Sequence, residues 1–207
     1  MKNRVVALIL LPLLLIGCQH QSQRIENVRL TPAIEAAWRQ HQTAIEAIDV
    51  WQIEGKVGIR TPQRGGSVSI RWQQRQAEMD IDLIAPFGQG GVRIQSQADK
   101  SVIEVAGEGR FEAPSLTDLL AAHFPYEVPI EPLLFWVRGL PAPSEKINFY
   151  GLNESGQLAN LQQAGWTIEY SRYQNAGLPE KMVLQQDQIK LILVINNWSL
   201  DTDSDLN

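Results

Sequence analysis

The sequence predicts an α+β protein in which one large, curved antiparallel sheet wraps around helices. Three observations predict it. From residue 50 onward, apolar residues recur at every second position in a succession of short runs, the period of a half-buried strand. Pro- and Gly-containing turns separate those runs at close spacing, as in an antiparallel meander. In two places the period lengthens to three and four residues, so the order reads helix, many strands, two helices, many strands.

The first helix opens at Thr31-Pro32, with Thr31 as N-cap and Pro32 at the first helical position. Ile34, Trp38, His41, Ile45 and Ile48 then form one stripe. Trp51, Ile53, Gly55, Val57 and Ile59 share one face of the first strand. A Pro- and Gly-rich turn spans Thr61 to Gly66. Val68, Ile70 and Trp72 follow in alternation with Ser67, Ser69 and Arg71, and Met79, Ile81 and Leu83 with Asp80 and Asp82. The stretch Ile84-Ala85-Pro86-Phe87-Gly88-Gln89-Gly90-Gly91 is a turn by its Pro and Gly, yet it holds a large apolar ring. Val92, Ile94 and Ser96 resume the alternation. Val102 to Ala106 gives another strand, and Arg110-Phe111 marks one more.

The second helix starts after Pro114-Ser115, carries Leu116, Leu119, Leu120 and His123 along one face, and stops at Pro125. Pro132 opens a third, with Leu133, Leu134, Trp136 and Val137, which Gly139-Leu140-Pro141 ends. Strands return at 147–150, 158–162, 166–170, 181–185 and 189–195, for a total of ten or eleven. No repeat of fixed period is evident.

The N-terminus carries the most specific short signal. Lys2 and Arg4 precede an apolar run from Val5 to Ile16, too short and too abruptly ended for a spanning helix. The run ends at Leu15-Ile16-Gly17-Cys18, which resembles the bacterial lipobox. That resemblance implies cleavage before Cys18, diacylglycerol on its thiol and acylation of the new amine. Residues 1–17 are then a lipoprotein signal peptide, 18–30 a lipidated polar tether, 31–200 a single domain and 201–207 a polar tail. Cys18 is the only Cys, so no intrachain disulfide competes for it. Each buried CH₂ contributes about 0.8 kcal/mol, so several acyl chains hold the protein firmly. Gln19, a non-Asp residue after the acylated Cys, suggests sorting to the outer membrane by the same resemblance.

The formal net charge is −5, and processing at Cys18 would leave 16 basic against 23 acidic side chains. Such a balance argues against a general nucleic-acid binder, which needs a basic surface to displace counterions. No nucleophile-elbow, zinc-protease or phosphate-loop motif is present, and a single Cys offers no zinc pair. Gly88-Gln89-Gly90-Gly91 precedes a strand, whereas a phosphate loop precedes a helix. His20 lies in the tether. His41 and His123 sit on helix faces beside apolar residues and read as structural. Asp80 and Asp82 read as the solvent face of their strand rather than an acid–base pair. The sequence therefore predicts no enzyme, no cofactor and no metal. Most of the six Trp residues read as core. Some of them, with Trp51, Trp72, Trp136 and Trp166 as candidates, would alternatively line an apolar cavity between sheet and helices.

Several segments in order carry a family resemblance. After the lipobox come Trp38-Arg39-Gln40-His41-Gln42, Arg71-Trp72-Gln73-Gln74, and the turn with Ala85-Pro86-Phe87-Gly88. Then follow Phe135-Trp136-Val137-Arg138-Gly139-Leu140-Pro141, Leu178-Pro179-Glu180-Lys181-Met182, and Ile189-Lys190-Leu191 leading to Asn197-Trp198. From Cys18 to about Trp198 the chain resembles the LolB family, outer-membrane lipoprotein receptors of the Lol pathway. The resemblance implies an incomplete antiparallel β-barrel of about 11 strands, covered by helices, with a hydrophobic cavity. It implies that the domain accepts lipoproteins from the periplasmic carrier LolA, holds their acyl chains and inserts them into the outer membrane. It also implies that Pro86, Phe87 and Gly88 form a protruding delivery turn, with Phe where the family usually has Leu.

Transfer without nucleotide requires affinities that rise from carrier to acceptor to bilayer. Moving Phe87 from water into lipid contributes roughly 1.5–3 kcal/mol, too little to anchor the protein but enough to orient it. The alternative for Phe87 is a plug folded over the sheet edge. For the whole protein the alternatives are a non-transporting outer-membrane scaffold that assembles through sheet edges, and a lipid-modifying enzyme. A monomer is the default.

Overall fold

The computed structural model describes residues 28–86, 90–124 and 128–200. The predicted signal peptide, Cys18 and the tether up to residue 27 lie outside these residues, as do Phe87, Gly88, Pro125 and the tail 201–207.

Helix α1 (Pro32–Glu46) is capped as its sequence predicts, with the Ile34 amide donating to Thr31 Oγ1 at 3.3 Å. Strands β1 (Val50–Arg60), β2 (Gly65–Arg75), β3 (Glu78–Ile84), β4 (Gly91–Ser96), β5 (Ser101–Val105) and β6 (Gly109–Ala113) follow. Next come α2 (Leu116–His123) and α3 (Ile130–Trp136). The chain ends with β7 (Ile147–Leu152), β8 (Leu158–Gln163), β9 (Trp166–Tyr173), β10 (Pro179–Gln186) and β11 (Ile189–Leu200). The third helix begins two residues before Pro132 rather than at it. Proline is tolerated there because the first turn of a helix has no intrahelical acceptor for its amides.

The eleven strands among the described residues form one antiparallel sheet in the order β6-β5-β4-β3-β2-β1-β11-β10-β9-β8-β7. The two blocks of the sequence are joined where β1 pairs with β11. The sheet does not close: β6 and β7 are its edges, and the incomplete barrel expected of the fold is realised.

The inward positions of both blocks meet in one core. Trp72, Ile53, Ile103, Leu161 and Ile168 are almost wholly excluded from solvent, and α3 adds Trp136 at 0% exposure. Trp51 packs against Trp72 and Trp198 with ring centroids 5.1 and 5.6 Å apart. The outward face of the first block is polar. Glu54, Arg71, Asp82, Arg93, Glu104 and Arg110 stand opposite one another in register across six strands, alternating in sign. Arg71 meets Glu54 at 3.2 Å and Arg110 meets Glu104 at 2.6 Å. Arg93 reaches Asp80 at 2.7 Å and Asp82 at 3.8 Å. These exposed pairs specify cross-strand register more than they stabilise the fold.

Candidate functional site

A meander places alternate connections at alternate ends of its sheet. One end holds the connections 61–64, 85–90, 106–108, 164–165 and 187–188, together with the start of β7. The other holds 76–77, 97–100, 153–157 and 174–178, together with the start of β1.

Helix α1 closes the second end. Trp38 stacks on Tyr150 with centroids 6.5 Å apart, and His41 meets Tyr173 edge-on at 6.5 Å. Gly156 lets the helix approach: its φ is +71°, and a Cβ there would lie 2.7 Å from the Ala37 Cβ and the Trp38 nitrogen. Burial lowers the pKa of His41, which keeps the imidazole neutral against the helix seat. Tyr173 donates to the Leu158 carbonyl at 2.7 Å, and burial raises its own pKa well above the usual phenol value.

Helices α2 and α3 form a hairpin within the curve of the sheet. Helix α2 follows β6, whose last residue lies at the α1 end. Helix α3 returns toward that end, where Arg138 just beyond it donates to the Ile48 carbonyl at 3.0 Å. The bend between the helices therefore lies toward the other, open end. There a pocket of about 560 Å³ is walled by Leu120, Phe124, Val128, Ile130 and Trp166, with Glu131, Glu145 and Gln186 bringing polar groups to it. This volume is within the range of small-molecule sites, and the wall mixes apolar side chains with the polar groups of Thr117, Glu131, Glu145 and Gln186. A second hollow of about 580 Å³, shallower and more open, follows the tips of β3 to β6 past Leu83, Ile84, Val92 and Val105.

The turn that begins at Ala85-Pro86 lies at the same end. Ala85 donates to the Gly90 carbonyl at 3.0 Å and so closes the base of the turn. Gly91 is required by close strand approach, since a Cβ there would lie 2.6 Å from the Leu83 carbonyl oxygen. Pro86 itself is exposed. Pocket and turn thus share an end that α1 leaves uncovered.

Of the four Trp residues considered as cavity lining, Trp166 lines the 560 Å³ pocket. Trp51 borders a cleft of about 60 Å³ beside Gln74 and Ser199. Trp72 is packed against Trp51, and its indole donates to Gln74 Oε1 at 3.3 Å. Trp136 lies behind the pocket wall, with its indole held by Gln163.

Gln163 is a residue that sequence reasoning did not single out. Its amide is 0% exposed. Oε1 accepts from the Trp136 indole and the Ala142 amide, each at 2.8 Å, while Nε2 donates to the Ala142 and Glu145 carbonyls, each at 2.8 Å. One side chain therefore ties α3 and the segment after it to β8. The signal for it was present: Gln163 falls on the inward parity of a strand whose other inward residues are Ala159 and Leu161. Asp80 and Asp82 lie in the ion-pair row with Arg93. His123 stacks on Phe111 at 3.9 Å. Among the described residues, no group of His, Cys, Asp or Glu could hold a metal ion.

The comparisons with known proteins agree on a family. The family model described as "Outer membrane lipoprotein LolB" matches residues 49–198. A protein of Stutzerimonas stutzeri (strain A1501) named outer-membrane lipoprotein LolB is 41% identical over 195 residues, covering 91% of each chain. The protein of that name from Pseudomonas syringae pv. syringae (strain B728a) is 43% identical over 166 residues, covering 79% of this chain and 80% of its own. Among solved structures, a putative outer membrane lipoprotein-sorting protein domain from Vibrio parahaemolyticus superposes with a TM-score of 0.54 at 9% identity. It covers 83% of this chain and 94% of that one, which shows a shared fold.

Proposed function

Since the chain belongs to the LolB family of outer-membrane lipoproteins, we infer that it is the outer-membrane receptor for lipoproteins in the Lol pathway. It is lipid-anchored at that membrane. Cys18 carries the anchor after removal of residues 1–17, and residues 18–30 connect it to the domain. The protein takes lipoproteins from LolA, holds their acyl chains in an apolar cavity and releases them into the bilayer. It works as a monomer and not as an enzyme.

One observation carries this reading. A pocket with Phe124, Ile130 and Trp166 in its wall and the turn that carries exposed Pro86 share the end of the sheet that α1 leaves open. A cavity that loads and discharges acyl chains needs a mouth, and a mouth that faces lipid needs an apolar leading edge. The first chain segment enters between Phe124, Ile130 and Trp166. Trp136, Trp51 and Trp72 lie deeper, and acyl chains reach them when the helix hairpin moves outward. Pro86, Phe87 and Gly88 make the leading edge, and a neutral apolar ring there prefers lipid to water.

Transfer from LolA to the domain lacking Cys18, followed by transfer to liposomes, tests the proposal in two stages. Placing a carboxylate in the pocket with Phe124→Asp is expected to lower uptake from LolA about tenfold, because an unpaired charge is costly to bury. Phe87→Glu is expected to preserve uptake and impair insertion. Wild-type uptake by Phe124→Asp would remove the pocket from the mechanism. Wild-type insertion by Phe87→Glu would remove the turn.

A further inference from the structure

Six large hydrophobic side chains are exposed among the described residues, and their placement is uneven. Leu30 and Tyr150 lie toward α1. Ile59, Ile84 and Ile147 stand at the ends of β1, β3 and β7 that face the open end, and Phe149 lies two residues inward from Ile147. Ile84 is 52% exposed and takes the solvent face of its strand, opposite Ser69 and Gly91, so the core does not account for it. Single exposed aliphatics need no explanation. Three of them, two on β1 and β3 with β2 between and the third on the edge strand β7, stand at one end of the sheet and form an apolar rim.

The point where the chain leaves the domain bears on what this rim meets. The Val28 amide donates to the Leu152 carbonyl at 3.1 Å, so the tether joins at the last residue of β7, toward the α1 end. The anchor therefore connects to the end opposite the mouth. The ten-residue separation of Cys18 and Val28 spans at most about 33–36 Å when extended. The six residues of β7 rise by about 20 Å at most, less where the strand is tilted. The tether is thus long enough to pass back along the domain and bring the open end down to the membrane that holds Cys18.

We propose that the domain stands end-on against its own bilayer, with Ile59, Ile84 and Ile147 touching lipid, and that tether length permits this orientation. The proposal rests on the receptor reading above and adds to it a docking surface wider than the turn, and a length requirement. A tether that is too short would be worse than none, because it would hold the closed end to the lipid and point the mouth at the periplasm.

The experiment uses the full lipidated protein in phosphatidylethanolamine–phosphatidylglycerol vesicles, with uptake from LolA and insertion of cargo measured separately. Deleting residues 20–26 leaves a tether of about 10 Å, shorter than the strand it must pass. That variant is expected to accept cargo normally but insert it at least about tenfold more slowly, below the rate of the domain without an anchor. Seven Gly/Ser residues in place of 20–26 should restore insertion. Ile84→Glu and Ile147→Glu should each slow insertion about tenfold with uptake unchanged, since each replaces an apolar contact by a charge. Wild-type insertion by the shortened protein, or failure of the Gly/Ser tether to rescue it, would overturn the proposal. So would rim variants that fail in uptake but insert normally, which would make the rim a carrier surface. If unmodified protein takes up no cargo at all, the receptor reading itself fails.

Discussion

The two ends of the sheet are built on opposite rules. At the α1 end, apolar and aromatic groups find partners: Trp38 has Tyr150 and His41, and Gly156 exists to admit the helix. At the open end, Ile59, Ile84 and Ile147 have solvent on one side, and a pocket takes the place of close packing. One end is a lid fixed by side-chain fit. The other holds its shape by hydrogen bonds behind the pocket, centred on Gln163. The difference teaches that apolar surface is not distributed here by stability alone. At the α1 end it is covered, and at the open end, where the proposed transfer takes place, it is left uncovered.

Substitutions can break that contrast in graded steps. The largest effect is expected from Trp38→Ala at the closed end, at about 3–5 kcal/mol in urea unfolding, as for other buried aromatics. A loss under about 1 kcal/mol would mean that α1 is a loose cover rather than a fixed lid. Next is Gln163→Leu, which strands the Trp136 indole and the backbone groups of Ala142 and Glu145. It should cost about 2–3 kcal/mol and expose tryptophan to quenchers as α3 loosens. A protein as stable as the parent, with unchanged quenching, would show that the hairpin is held by packing alone.

Acid should distinguish the ends as well. The folded-state pKa of His41 is lowered by burial, so the unfolded chain binds the proton more readily. Its contribution is complete above the unfolded value of 6.5 and is lost as pH falls below it, by at most about 1.4 kcal/mol per pH unit. His41→Gln should flatten the stability profile as pH falls below about 6.5. An unchanged slope would assign the acid response to other groups. The smallest effect belongs to the open end: Ile84→Ser should change stability by no more than about 0.5 kcal/mol. A larger loss would show that Ile84 is part of the core after all.

Much of this architecture is legible in the residues, and the reason is periodicity. Alternation of Met79, Ile81 and Leu83 with acidic residues requires a strand with one wet face, and Thr31-Pro32 and Pro114-Ser115 mark helix starts through capping chemistry. Pro132 misled by two residues because proline fits anywhere in a first turn. The strand around Arg110-Phe111 was less distinct because its alternation is short, and only pairing with β5 extends it to Gly109–Ala113. The site was less legible than the fold. Four Trp residues look alike in sequence, yet only tertiary packing decides that Trp166 borders the pocket while Trp72 fills core. Gln163 was hidden for the same reason: a Gln on an inward parity has meaning only once its four partners are near.

The missing seam between β6 and β7 has a mechanical consequence. In a closed barrel, every increase in girth must tear a ladder of backbone hydrogen bonds or shear its register. Here the two margins are not bonded to each other. The circumference can widen by bending alone, with every strand pair intact. Such a sheet is compliant: its enclosed volume can grow or shrink without the loss of a single strand pair.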